Sequence, residues 1–290
     1  LYDLIDGGNG DSFVETPWFA CERTGSSAVW CGVEASEALT LDFEGLEDSG
    51  DDFVYEGWAV SAGVATTTDR FRAGPSVDQR VPRSIAGDSL YVLTIEPRRG
   101  DPSAPAKTHL VAGALELGAT TDLGTSHPAA LGTDFADAEG GFILATPSSP
   151  ATDDDNQGIW FVDPTAGAPS LSLPTLPDGW VYEGWVVGAD GPISTGRFTD
   201  AMGSDSDGAG PAAGPDAGPP FPGQDFIDPP MDLVGTTIVI SVEPEPDNAA
   251  APFAIKPLIA PAASADTAPT VQPIGNTSEN RPSAAATLGH

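Results

Sequence analysis

The chain has 290 residues, with 11 basic and 43 acidic side chains and a formal net charge of −32. Nucleic-acid binding needs basic patches and an anionic membrane surface repels such a chain, so the composition argues against both partners. Hydrophobic residues make up 40% of the sequence, enough for packed cores in two domains of ordinary size.

The 34 glycines and 29 prolines favour turns over long helices. The acidic excess reads as a solvated surface of a halophilic or marine protein, or of one exposed at a cell surface. Salt screens the self-repulsion such a surface creates.

Residues 1–27 read as an extended N-terminal segment. Cys21 and Cys31 bracket ERTGSSAVW, whose Thr, Gly and Ser residues form a turn signal. A hairpin with a Cys21–Cys31 disulfide is expected, contributing roughly 2–3 kcal/mol. A metal site here lacks two further ligands nearby. A disulfide places the chain in an oxidising compartment. The start at Leu1, without a signal-type apolar segment, leads us to expect either a processed mature chain or a trimmed one. No apolar run of 18 or more residues occurs, so no transmembrane segment is expected.

The phrase VYEGWAV at Val54–Val60 returns as VYEGWVV at Val181–Val187. Other features recur in the same order. Arg70 and Phe71 match Arg197 and Phe198, and Glu96–Pro97 matches Glu243–Pro244. The extra length of the second copy lies in the Gly/Pro-rich stretch from Gly203 to Phe226, where a surface insertion costs little. Ordered agreement of this kind predicts an internal duplication. In each copy LTLDF or LSL, then YEGW, then LYVLTIEP or TIVISVEP, alternates or carries β-branched and aromatic residues. Prolines sit at strand ends, where sheets tolerate them.

The expected architecture is all-β: two tandem antiparallel β-sandwich domains with extended terminal segments. The first repeat spans residues 28–118, a bridge 119–157, the second repeat 158–261, and an extended tail 262–290. The tail is rich in Ala, Pro and Ser, a composition typical of disorder. Trp30 lies 28 residues before Trp58 and Trp160 lies 25 before Trp185, so AVWC and GIWFVD are expected to be equivalent opening strands.

Trp, then Gly-x-x-x-Gly-x-Phe, then a strand ending in Glu-Pro, resembles the extracytoplasmic domain of anti-sigma-K factors. The second copy matches better, through YEGWVVGADGPISTGRF and VISVEPEPDNAAAPF; the first has Asp69 where the second has Gly196. The resemblance implies a β-sandwich outside the membrane that senses or binds. From these residues neither a membrane segment nor a helical sigma-binding part is expected, a departure from the regulators of that family.

Glu56 with Arg70, and Glu183 with Arg197, are expected to form one structural ion pair per copy, with a ligand role as the alternative. Glu96 and Glu243 are expected to accept backbone or Arg hydrogen bonds. Gly57 and Gly184 are expected to admit a close neighbour. Of Tyr55 and Trp58, and of Tyr182 and Trp185, which face opposite sides of their strands, one aromatic should enter the core; an exposed contact for a partner or sugar is the alternative for the other. Asp153, Asp154 and Asp155 in DDDN, and Asp205 and Asp207 in SDSDG, gather hard oxygen donors suited to Ca²⁺, although solvated loops are the default. Asn276 heads a formal glycosylation acceptor. His109, His127 and His290 are scattered, and no nucleophile elbow or phosphate loop occurs.

These features point to a non-enzymatic extracellular structural protein that assembles with copies of itself into a surface filament or sheath. The alternative is a soluble extracytoplasmic binding or sensor module.

Overall fold

The computed structural model describes residues 19–24, 28–33, 35–100, 102–246 and 249–289, the first two of these segments as backbone only. The described residues form strands in succession. They are β1 (Phe19–Thr24), β2 (Ala28–Val33), β3 (Ser36–Glu44), β4 (Phe53–Ser61), β5 (Val64–Phe71), β6 (Ser76–Pro82), β7 (Ser89–Pro97), β8 (His109–Leu115) and β9 (Thr120–Gly124). Next come β10 (Glu139–Leu144), β11 (Gly158–Trp160), β12 (Val162–Asp163), β13 (Ala168–Pro169), β14 (Leu171–Ser172), β15 (Trp180–Gly188) and β16 (Gly191–Phe198). The chain finishes with β17 (Gly223–Asp225), β18 (Thr237–Pro244), β19 (Leu258–Ala260), β20 (Gln272–Asn276) and β21 (Ser283–Leu288). Two short 3₁₀ turns, Asp155–Gln157 and Ser278–Asn280, are the helical segments among the described residues. None of these is long and apolar enough to cross a membrane.

The chain forms two compact units, Leu1–Gly124 with Ser283–His290, and Thr125–Pro282. Each is built on one large antiparallel sheet that curls until it nearly closes, so the fold is all-β with two tandem sandwich or barrel domains. In the first unit the strand order is β5-β4-β7-β8-β9-β21-β3-β6. In the second it is β16-β15-β18-β19-β20-β10-β11-β17, with β14 also on β10. The YEGW strands β4 and β15 hold the same place, between β5 and β7 or between β16 and β18.

Burial follows the pattern of the residues. On β3 the inward positions Leu39, Leu41 and Phe43 alternate with exposed ones. The central strands β4, β7, β15 and β18 are buried along most of their length. In the second unit a small cluster of Ile143, Trp160 and Val162 is covered by Phe221 and Ala209, which lie in the Gly/Pro-rich insertion.

Three expected divisions change. Residues 119–157 are not a bridge: they contain β9 of the first unit and β10 of the second. Residues 262–290 are not an extended tail. Residues 272–276 form β20 of the second sheet, and residues 283–288 form β21, an interior strand of the first. AVWC and GIWFVD are not equivalent strands either. Among the described residues β2 pairs with β1 alone, in a separate hairpin, whereas β11 lies within the second large sheet between β10 and β17. The position of β11 corresponds to that of β3.

The two ends of each nearly closed sheet are stitched by side chains. In the first unit the Thr68 hydroxyl of β5 donates to Gln79 Oε1 of β6 at 2.7 Å, and Gln79 Nε2 donates to the Asp69 carbonyl at 3.2 Å. In the second unit the inserted residues do this work. Ser206 N donates to the Arg197 carbonyl at 2.8 Å, and Arg197 N donates to Ser206 Oγ at 3.0 Å. Gly223 N of β17 donates to Asp205 Oδ2 at 2.8 Å. The insertion is therefore a seam filler rather than a free loop.

Candidate functional site

Cross-strand register brings the repeated charges together. Glu56 lies opposite Arg70 on β4 and β5, and Glu183 lies opposite Arg197 on β15 and β16. Arg70 Nε sits 3.3 Å from Glu56 Oε2 and Arg197 Nε sits 3.0 Å from Glu183 Oε2. Each glutamate is 3–4% exposed. Each also accepts a hydroxyl at the same relative position: Thr67 donates to Glu56 Oε1 at 2.5 Å, and Ser194 donates to Glu183 Oε1. Arg70 reaches further, donating from Nη2 to the Pro97 carbonyl. It thus ties the β4–β5 hairpin to the end of β7.

A second repeated chain of hydrogen bonds starts at tryptophan. Trp58 Nε1 donates to Thr94 Oγ1 at 2.9 Å, Thr94 donates to Glu96 Oε1, and the same oxygen accepts Ala106 N at 2.7 Å. In the second unit Trp185 Nε1 donates to Ser241 Oγ at 2.7 Å, Ser241 donates to Glu243 Oε1, and Phe253 N donates to that oxygen at 2.9 Å. Glu96 and Glu243 are fully buried, so unpartnered carboxylates would be costly there. Their partners belong to the Pro-containing loops between β7 and β8 and between β18 and β19. The glutamates anchor those loops from below.

Both aromatics of each YEGW motif are buried, which rules out the alternative that one of them is an exposed contact. Tyr55 and Tyr182 are 0% and 1% exposed; Trp58 and Trp185 are 3% and 2%. The second face is covered by the segment leading into the strand. Tyr55 Oη donates to the Glu47 carbonyl and Tyr182 Oη to the Pro174 carbonyl, both at 2.7 Å. The rings pack on Phe71 and Phe198, with centroids 5.9 and 5.7 Å away. Burial pushes both phenols far above their ordinary pKa.

Gly57 and Gly184 leave no room for a side chain. A Cβ on Gly57 would collide with Tyr91 Oη, Thr68 Oγ1 and Gln79 Oε1, and one on Gly184 with Thr195 Oγ1 and the Phe161 ring. The Asp69 and Gly196 difference has a reason of its own. Gly196 has φ +102°, and a Cβ there would strike the Asp205 and Asp207 carboxylates. Only the copy with the insertion needs glycine.

The acidic runs divide. Asp154 accepts Thr146 Oγ1 at 2.8 Å and Ser149 Oγ at 2.6 Å, and these hydroxyls hold its carboxyl below the usual range. Asp155 opens a 3₁₀ turn, and Asp153 is exposed. Asp205 and Asp207 meet over Gly196. Among the described residues no three His, Cys, Asp or Glu side chains gather as a metal-binding group. Burial, and then the neighbouring Asp207 carboxylate, push Asp205 up to about 7. The raised pKa sets the sign of a pH effect. The folded chain holds a proton that the unfolded chain releases near pH 4, so this contribution is complete below about pH 4 and lost by about pH 7. Asp205→Asn should flatten that decline. The difference in melting temperature between wild type and variant across pH 4–7 checks it, with a change of a few degrees expected.

Asn276 does not present a free amide for a glycan. Its Nδ2 donates to the Phe135 and Ala138 carbonyls at 2.9 and 2.8 Å, and its Oδ1 accepts Ser278 N. His109 and His127 fall in different units, and His127 Nδ1 accepts Ala129 N within a turn. Cys21 and Cys31 are register partners in the β1–β2 hairpin; their side chains, and so the expected disulfide, lie outside the described residues, as does His290.

Several side chains of this network escape a sequence reading. Thr67 and Ser194, and Thr94 and Ser241, occupy matched positions in the two copies, and aligning hydroxyl residues as well as letters would have found them. Asp225, Ser148 and Trp160 form a node without a counterpart motif. No protein-family model, curated protein or solved structure matches the chain.

Proposed function

We propose that this chain is a non-enzymatic extracellular structural protein that self-assembles into a surface filament or sheath. The observation that carries the reading is the repeated buried constellation. In both units the Glu, Arg, Trp and Thr or Ser side chains of the duplicated motif bind one another and the loops beside them. Polar groups used this way stiffen a scaffold and fix loop positions. The facing positions of Cys21 and Cys31 support an exported, oxidised chain. The net charge of −32 makes assembly salt-dependent, because like-charged copies approach only when their repulsion is screened.

Sedimentation velocity of the intact chain should show species growing in size as NaCl or CaCl₂ is raised from low ionic strength. A monomer at every concentration of either salt would end this reading and leave the binding-module alternative in its place.

A further inference from the structure

The two sheets share one strand order, yet they fill one slot differently. In the second unit the strand between β20 and β11 is β10, which directly precedes β11 in the chain. In the first unit the corresponding slot, between β9 and β3, holds β21, the last strand among the described residues. The duplicated fold is therefore locally complete in one copy. In the other it is completed by a segment that arrives only after the entire second unit.

β21 is bound chiefly through its backbone. It pairs with β3 from Ser283↔Glu44 to Leu288↔Leu39 and with β9 from Ser283↔Gly124 to Thr287↔Thr120. Its inward side chains are Ala284, Ala286 and Leu288, two of them among the smallest available. Backbone pairing accepts any copy of the strand, and small side chains give little grip on one donor in particular. The connection from β20 is short, residues 277–282, and includes Pro282. Short hinges of this kind favour exchange of the element that follows them between copies.

We propose that β21 is an exchangeable strand: the β9–β3 slot of one copy accepts residues 283–288 of a second copy, and this exchange is the joint of the homopolymer. The partner is another copy of this chain. The inference rests on the self-assembly reading above and gives it a mechanism. Each copy has one donor strand and one acceptor slot, so exchange either closes into a small ring or continues as a linear polymer.

Thr287 lies opposite Thr40 on β3 and opposite Thr120 on β9. Facing residues on paired strands have Cβ atoms about 4.5–5.5 Å apart, close enough for an introduced disulfide with modest adjustment. Thr40→Cys chains and Thr287→Cys chains are mixed, unfolded, refolded together and oxidised. A covalent heterodimer is expected that neither variant gives alone, a control that also covers Cys21 and Cys31. Thr120→Cys replaces Thr40→Cys if that variant does not refold. The double variant Thr40→Cys/Thr287→Cys, oxidised as a monomer at low salt, should not polymerise until it is reduced. Absence of the heterodimer with both acceptor variants overturns strand exchange; if polymer still forms from the oxidised double variant, self-assembly stands but uses another surface. A heterodimer from a chain that never forms filaments leaves exchange intact and ends the filament reading.

Discussion

Gly57→Ala is expected to be among the most destabilising single-methyl changes in the first unit. The position has no room: Tyr91 Oη, Thr68 Oγ1 and Gln79 Oε1 all converge on it. Tyr91 and Gln79 are themselves bonded at 3.0 Å, and Gln79 joins β6 to β5. A methyl group therefore both overpacks a buried site and separates hydrogen-bonded partners at the seam of the sheet. Overpacking costs about 1–3 kcal/mol, and leaving buried polar groups unpaired adds about 1–3 kcal/mol. A total loss of roughly 3–5 kcal/mol is expected on these grounds. Urea unfolding measures it. A loss under about 1 kcal/mol would mean that the strand relaxes freely and that the close approach is not a constraint.

Asp225→Ala should have a comparable effect in the second unit. Asp225 is fully buried and accepts three hydrogen bonds. Its Oδ1 accepts Trp160 Nε1 at 2.7 Å, and its Oδ2 accepts Ser148 N at 2.8 Å and the Ser148 hydroxyl. Ser148 Oγ in turn accepts Gly214 N of the insertion at 2.8 Å. Burial raises the Asp225 pKa, against the pull of these donors. Alanine removes the acceptor and strands the Trp160 and Ser148 N–H groups in the interior. Loss of one partner from a buried charged network costs about 3–5 kcal/mol. Asp225→Asn should fall between wild type and alanine, because one oxygen remains. Its amide still points a donor at donors. Chemical denaturation followed by Trp fluorescence reads both variants. Equal stability of alanine and wild type would show that the node is incidental.

The sequence exposes the duplication, because the YEGW phrase and the Glu-Pro strand ends are identical letters on strands that occupy matching places. It also exposes β3, where Leu39, Leu41 and Phe43 alternate with polar residues. It hides β21. Ser, Ala and Thr carry too little apolar contrast to mark a face, and strand propensity depends on the tertiary slot a segment enters. An Ala/Pro/Ser composition is shared by disordered tails and by a strand gripped through its backbone on both sides. The exposed-aromatic alternative fails for a related reason. Alternation assigns Tyr55 and Trp58 to opposite faces, but only the folded chain reveals that the segment around Glu47 covers the second face. Among the site residues, Glu56 and Arg70 stand out as repeated opposite charges. Asp225 and Ser148 do not, because each occurs once and far from the other in sequence.

The central claim is that this chain forms a polymer. Negative-stain electron microscopy of the intact protein, first at low salt and then at molar NaCl, tests it most directly. The account predicts discrete particles at low salt and extended filaments or sheets at high salt. Dispersed particles of constant size at every salt concentration would contradict it.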